Sequence, residues 1–193
     1  TVQDRVKSLE EYIEKFQNNY SPIIFCVGWV GKIFKGNDIY GIDMALKLIQ
    51  NLKTQFNNIG LIISINGGNE EKISDLVNNV KPEIKNNTLF ILEELPNLKN
   101  IFLKSDVFIR PTNTDGDSVS VQEAIYYGTT AIASDAVPRP EECIVFKTRD
   151  LDDLILKTGL ALGETVNNQK STVKKIKPNK NNGDLIIDIY KGY

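Results

Sequence analysis

The segment RPTNTDGDSVSVQEA, residues 110–124, concentrates the residue types that can do chemistry. It offers Arg110, Asp115, Asp117, Ser118, Ser120 and Glu123, with Gly116 free to adopt a special backbone conformation. It joins the apolar run DVFIR (106–110) to a run with helical spacing, SVSVQEAIYYG (118–128). N–H groups at the start of such a helix are unpaired and carry partial positive charge, so they can take a phosphate or another anion. Arg110, at the strand's end, can add a fixed cation with bidentate geometry. Asp115 and Glu123 stand eight residues apart, one before the helix and one about a turn inside it. Both can face one cleft, on either side of a bound diphosphate. A purely structural reading competes. Ser120-Val-Gln-Glu123 matches a capping box, and Asp115-Gly-Asp117 matches an ordinary turn.

The remaining composition removes other chemistries. There is no histidine, which excludes Ser-His-Asp and Cys-His catalysis, the HExxH zinc site and a histidine general base. Cys26 and Cys143 each lie in an apolar stretch and read as buried free thiols, not a disulfide or a metal site. A calcium loop fails on spacing: with Gly116 at its sixth position, the first ligand would be Pro111 and the twelfth Gln122. No G-x-x-x-x-G-K-[ST] occurs and no G-x-G-x-x-G opens a helix, so a P-loop ATPase is excluded and a nicotinamide-binding domain is unsupported. A formal net charge of −2 argues against a general electrostatic nucleic-acid binder. No apolar run reaches the roughly 18 residues of a membrane span.

The elements that must position these residues alternate. Apolar spacing predicts helices over 1–16, 42–56, 69–80, 97–105, 118–128 and 150–162, with Asn69 a cap and Gly128 a left-handed stop. Continuous apolar runs at 23–29, 61–65, 88–95, 106–110, 130–134 and 142–147 read as buried strands. Strand–helix alternation with such runs predicts an α/β fold, a Rossmann-like, mostly parallel sheet of about six strands with helices on both faces. Ligands of such sheets sit at the carboxyl ends of the strands. All 193 residues are read as one domain with its core at about 22–160. Residues 163–183 read as a flexible polar segment and 184–193 as a C-terminal helix. The glycine-containing stretch 31–41 reads as loop, Gly67-Gly68 as a tight turn, and Trp29, Tyr126 and Tyr127 as packing residues.

Together these residues resemble the C-terminal, donor-binding domain of a retaining GT-B glycosyltransferase of family four, the kind found in bacterial polysaccharide synthesis. The shared pattern is DVFIRP, Asp115, seven residues, Glu123-Ala124, Gly128, TAIASD (130–135) and Pro140-Glu141. The Val27-Gly28 strand end and the helix start Tyr40-Gly41-Ile-Asp43 also fit. The resemblance implies one half of a GT-B fold that binds a nucleotide-diphosphate sugar. It places Asp115, as the catalytic residue, at the donor sugar's hydroxyls and Glu123 at the ribose hydroxyls. The amides of Gly116, Asp117, Ser118 and Val119 would face the diphosphate and sugar, and the strand end Leu92-Glu93 would meet the base.

The sequence departs from that family in three respects. The first acid is Asp115 where Glu is usual. An Arg after the first strand's Gly and a Lys before the next helix are replaced by Trp29 and Tyr40, so the diphosphate cations are sought in Arg110, Arg139, Lys35 and Lys32. The N-terminal acceptor-binding domain is absent, and the chain begins at Thr1 with Met44 its only methionine, as expected of a piece of a longer protein. The resemblance implies a saccharide or lipid-linked acceptor held by that domain, no cofactor and no metal. Asp115-Gly-Asp117 nevertheless resembles the metal-binding DxD of the other large glycosyltransferase fold. The implied location is cytoplasmic, at the inner face of the membrane for a peripherally associated full-length protein, with no nucleic-acid partner. A non-catalytic module of the same fold and a nucleotide-sugar epimerase are the alternatives.

Overall fold

The computed structural model describes residues 2–92, 95, 97–116 and 118–169. The chain runs α1 (Val2–Asn19), β1 (Ile23–Val30), a small hairpin of β2 (Ile33–Phe34) and β3 (Asn37–Asp38), then α2 (Ile42–Leu52) and β4 (Gly60–Gly68). It continues α3 (Glu70–Asn78), α4 (Pro82–Lys85), β5 (Thr88–Ile91), α5 (Lys99–Leu103), β6 (Val107–Arg110) and α6 (Val119–Tyr126). It closes with β7 (Thr130–Ser134), β8 (Ile144–Phe146) and α7 (Leu151–Gln169). Six strands form one parallel sheet in the order β5-β4-β1-β6-β7-β8. The expected α/β architecture is present.

The strands read as unbroken apolar runs because both faces are covered. Successive side chains alternate between faces. Ile24, Cys26, Leu61, Ile63, Val107, Ile109 and Ile132 point into one core with Leu48 and Leu52 of α2 and Leu154 and Leu162 of α7. Ile23, Phe25, Val27, Ile62, Phe108 and Ala133 point into the other, with Phe16 of α1, Phe102 of α5 and Val121 and Ala124 of α6. Phe25, Phe102 and Phe108 meet there with ring centroids 5.1–5.6 Å apart. Cys26 and Cys143 are buried and free, as read from the sequence, and burial pushes the Cys26 thiol up to about 12. Asn69 caps α3, its side chain accepting from the Lys72 amide, and Gly128 takes φ +76.

Several boundaries differ from the sequence reading. The stretch 31–41 contains the β2–β3 hairpin, too short to carry an apolar period. The predicted strand 88–95 stops at Ile91, and α2 stops at Leu52, short of the expected 56. Helix α7 runs to Gln169, so residues 163–169 are helical, not part of a polar loop. Residues 170–193, including the expected helix 184–193, lie outside the described residues.

The start of α2 is capped not by Gly41, which has no side chain, but by Asp38 three residues earlier. Asp38 accepts from the amides of Tyr40 and Ile42, while Asp43 pairs bidentately with Arg149 at 2.9 and 2.6 Å. Gly41 has φ +68, and a Cβ there would overlap the Pro111 carbonyl. Gly41→Ala should therefore destabilise by more than Gly36→Ala, where φ is +76 but nothing lies within 4 Å. The latter carries the left-handed penalty alone, roughly 1–2 kcal/mol. At about 2–4 °C per kcal/mol for a domain of this size, thermal melts separate the two. Equal shifts would mean that the Gly41–Pro111 approach constrains nothing.

Candidate functional site

The chain order reverses at the centre of the sheet. From β1 it steps outward to β4 and β5, then returns to β6 on the other side of β1 and continues to β7 and β8. The crevice at the carboxyl ends of β1 and β6 is the switch point at which open α/β sheets bind ligands. Arg110 is the last residue of β6 and crosses this crevice. Its Nη1 donates to the Val27 carbonyl at 3.3 Å, and its guanidinium carbon lies 5.1 Å from the Tyr40 ring centroid.

Asp115 follows in the β6–α6 loop, and its carboxylate is fully engaged. Arg110 Nε donates to Oδ2 and Nη2 to Oδ1, both at 3.1 Å. Oδ2 also accepts from Arg139 Nη1 at 3.2 Å and Thr112 Oγ1 at 3.2 Å, and Oδ1 from the Gly116 amide at 3.1 Å. The two guanidinium groups hold the Asp115 carboxyl below the usual carboxylate range, against the upward push of its burial. Arg139 arrives from the β7–β8 connection. It donates to the Ser134 carbonyl, to Ser134 Oγ and to Thr112 Oγ1 as well, and Ser134 Oγ donates to the Thr112 carbonyl. The Arg110, Asp115 and Arg139 side chains are 11%, 9% and 2% exposed.

Two of the expected site residues are engaged within the chain. The Asp115 carboxylate accepts from four neighbouring residues. Arg139 is buried, with four of its five N–H donors engaged. Arg110 is the member of the network with donors to spare.

The helix α6 begins at Val119 with Ser118 as the preceding residue, and the Ser118 side chain makes no capping hydrogen bond. Ser118 Oγ instead shares a 3.1 Å hydrogen bond with Ser120 Oγ. The capping-box expectation therefore fails: Ser120 is already inside the helix, one residue past the start. The Val121 and Gln122 amides both donate to the Ser118 carbonyl, at 3.0 and 3.3 Å, and among the described residues the Val119 and Ser120 amides have no acceptor. Val119, 71% exposed, and Gly116, exposed with open space around it, leave that end accessible. Glu123, one turn on, is half-buried, and among the described residues nothing hydrogen-bonds its carboxylate. Burial alone raises its pKa.

The other expected residues scatter. Lys35 lies in the exposed hairpin turn, its ammonium 5.3 Å from the Phe34 ring centroid. Lys32 sits over Trp29 at 4.5 Å. Leu92 is exposed just past β5, two strands from β1. Glu93 and Asp117 lie outside the described residues. Sequence reasoning missed Thr112 and Ser134, which bind the network together, and Asn113, which joins the loop to the hairpin. Asn113 donates from its amide to the Ile39 carbonyl and from Nδ2 to the Phe34 carbonyl. Only TAIASD, ending at Ser134-Asp135, carried a signal for any of them. An open cavity of about 400 Å³ between the hairpin, α2 and α3 is lined by residues such as Asp38, Lys72 and Asp75, and none of Arg110, Asp115 and Glu123 borders it. Among the described residues, no group of three or more His, Cys, Asp or Glu side chains is placed to hold a metal ion.

A six-stranded parallel sheet with helices on both faces and this crevice is the architecture of GT-B glycosyltransferase domains. The chain matches the family described as glycosyl transferases group 1 over residues 6–178, and it belongs to that family. It is 30% identical over 127 residues to protein CapJ of Staphylococcus aureus, covering 64% of this chain and 31% of CapJ. It thus spans about a third of that relative. Solved structures share the fold at low identity. The C-terminal domain of the group 1 glycosyl transferase LpcC from Francisella tularensis matches with a TM-score of 0.62 at 12% identity, over 93% of this chain and 91% of that one. The catalytic domain of cholesterol-alpha-glucosyltransferase from Helicobacter pylori matches with 0.56 at 15%, over 77% and 91%. A TarM mutant of Staphylococcus aureus, solved with fondaparinux, alpha-GlcNAc-glycerol and UDP, matches with 0.59 at 13%, over 75% and 29%.

The two acids have opposite pH signatures. Asp115, with its pKa lowered, contributes stability that is present above the ordinary carboxylate range and lost as pH falls through its folded pKa. Glu123, with its pKa raised by burial, favours the folded state below its unfolded pKa and loses that contribution as pH rises through the folded pKa. Glu123→Gln should therefore leave the ligand-free domain at neutral pH as stable as wild type or more so, within about 0.5 kcal/mol. Any gain should vanish on acidification. A clear loss of stability at pH 7 would show that Glu123 has a structural partner.

Proposed function

We propose that this domain binds the nucleotide-diphosphate sugar for a retaining glycosyltransferase of the family-four kind. The saccharide or lipid-linked acceptor belongs to a partner domain across the cleft. What supports the reading is the β6–α6 connection at the switch point: it starts at Arg110, which keeps spare donors, and leads into α6, where Ser118 makes no cap and the Glu123 carboxylate, one turn on, has no hydrogen bond among the described residues. The diphosphate lies over the first turn of α6, where fixed N–H dipoles and a guanidinium meet the negative charge that grows as the sugar departs. Glu123 accepts hydrogen bonds from the ribose hydroxyls, which restores the ionised form that burial disfavours. The base extends toward the end of β5 near Leu92. Group 1 family membership and the UDP held by TarM agree with this kind of donor.

Titration calorimetry of the chain with UDP, GDP, ADP and dTDP tests the reading. One of them should bind, and Glu123→Gln should weaken it by about ten-fold or more, the loss of a charge-assisted hydrogen bond. Ser120→Ala should not. Equal affinity of wild type and Glu123→Gln would remove Glu123 from the ribose.

The leaving diphosphate is neutralised here by Arg110 and backbone amides, with no protein-bound metal assigned. Sugar transfer by the enzyme that contains this domain should persist in EDTA. Activity lost in EDTA and restored by manganese would return Asp115 and Asp117 to a metal-binding role.

A further inference from the structure

We propose that Lys32 is a diphosphate-binding residue of this site and that Trp29 positions it, the indole ring serving as the seat of the ammonium group. The proposal rests on the donor-binding reading above and adds to it a cation from the connection between β1 and α2.

Trp29 lies at the carboxyl end of β1, the strand at which the chain order turns. Its neighbours fix its direction. Val27 belongs to the core that holds Val121 and Ala124 of α6, and Val30 to the core that holds Ile42 of α2. Alternation along the strand therefore puts Trp29 on the side of α6. The ring leans over the neighbouring strand β4, where Gly67 leaves it room: a Cβ on Gly67 would come within 2.7–2.9 Å of three indole atoms. Trp29 is 37% exposed, in a strand whose other residues are buried. The strand order β5-β4-β1-β6 decides what passes over it. A nucleotide running from the start of α6, after β6, to Leu92, after β5, crosses the carboxyl ends of β1 and β4, where the Trp29 ring lies.

Lys32 follows Gly31, whose φ is +91, and its ammonium lies 4.5 Å from the Trp29 ring centroid. Attraction to the π face holds the group without using any of its three N–H donors. No hydrogen bond or ion pair among the described residues engages that ammonium. Lys47, Lys104 and Lys157, by contrast, each pair with a carboxylate and would have to give up that partner to meet a phosphate. Lys32 keeps its donors and an unpaired charge for a ligand that passes over the ring. A side chain already held in one place also loses less rotamer freedom on binding than a free lysine would. Arg110, at the end of β6, and Lys32, beyond the end of β1, meet the diphosphate from adjacent strands, and Arg110 keeps its own contacts.

The test is titration calorimetry of this chain with whichever of UDP, GDP, ADP and dTDP wild type binds, and with the matching nucleoside. Lys32→Ala should weaken the diphosphate by about ten-fold or more and leave nucleoside affinity unchanged. Lys85→Ala, which removes the same charge before β5 at the amino end of the sheet, should change neither. Trp29→Phe keeps a ring face and should keep most of the diphosphate affinity. Trp29→Leu keeps only apolar bulk and should lose about as much as Lys32→Ala. In the Lys32→Ala/Trp29→Leu double variant the loss should equal that of Lys32→Ala alone, the non-additivity expected of residues acting through one contact. Trp29 is the chain's only tryptophan, so the diphosphate should also change the emission of wild type. If Lys32→Ala binds the diphosphate as wild type does, or Lys85→Ala loses as much, the inference is overturned, and a ten-fold loss in Glu123→Gln would still leave the donor-binding reading standing. If the Lys32→Ala and Trp29→Leu losses add, the positioning role of Trp29 is overturned. A wild-type chain that binds none of the nucleotides overturns the donor-binding reading and this inference with it.

Discussion

The candidate site depends on keeping three charges nearly out of water at the end of a sheet. A buried ion pair recovers its desolvation cost only when its geometry is good and its remaining donors and acceptors are satisfied. Here the carboxylate of Asp115 lies between two guanidinium groups, and Thr112, Ser134, Val27 and the Gly116 amide fill the remaining positions. Those partners come from β1, from the loop after β6 and from β7. The network therefore ties together the carboxyl ends of three neighbouring strands. Removing Asp115 outright would leave two buried cations facing each other, which is costlier than losing a surface pair.

That constraint shapes the backbone around it. The loop after β6 must fold back so that Asp115 meets Arg110, five residues earlier. It is held from outside by the close approach of Gly41 to the Pro111 carbonyl and by the Asn113 contacts to the hairpin. The chain then enters α6 at Val119 without a capping hydrogen bond from the Ser118 side chain. The rest of the domain is ordinary by comparison: two apolar cores, an aromatic triad and a covering helix α7 whose buried residues Leu154 and Leu162 fix its place.

The sheet was legible because burial on both faces writes itself into the strands as unbroken apolar runs, from Ile23 to Val27 and from Leu61 to Ile63. The hairpin was not, because two-residue strands have no period to detect. The end of α7 was missed because GETVNNQ carries no apolar stripe. Once packing of the first turns has supplied the costly nucleus, propagation needs no stripe. The capping box at Ser120 and Glu123 was a local pattern that the helix start, two residues earlier at Ser118, overrode. In the site, residue types were readable and partnerships were not. Arg110 and Asp115 are close in sequence, but Arg139 joins them from 24 residues beyond Asp115, and Thr112 and Ser134 have no chemical signature until the strands are adjacent. Nor does sequence reveal that Glu123 lacks a partner.

The contrast between the two acids constrains what can occupy the crevice. Asp115 is satisfied and held ionised, while Glu123 is half-buried, unpaired and pushed toward protonation. A simple anion would complement the α6 amides and Arg110 but would repel Glu123. A neutral sugar would complement Glu123 and leave the cationic end unmet. The complementary ligand carries an anionic group and, within about a helix turn of it, vicinal hydroxyls that donate to a carboxylate. In the donor-binding role proposed above, phosphate attached to ribose would meet both demands in one molecule, and a carboxylate that is unfavourable in the empty domain would become favourable on binding, which would discriminate a nucleotide from free phosphate.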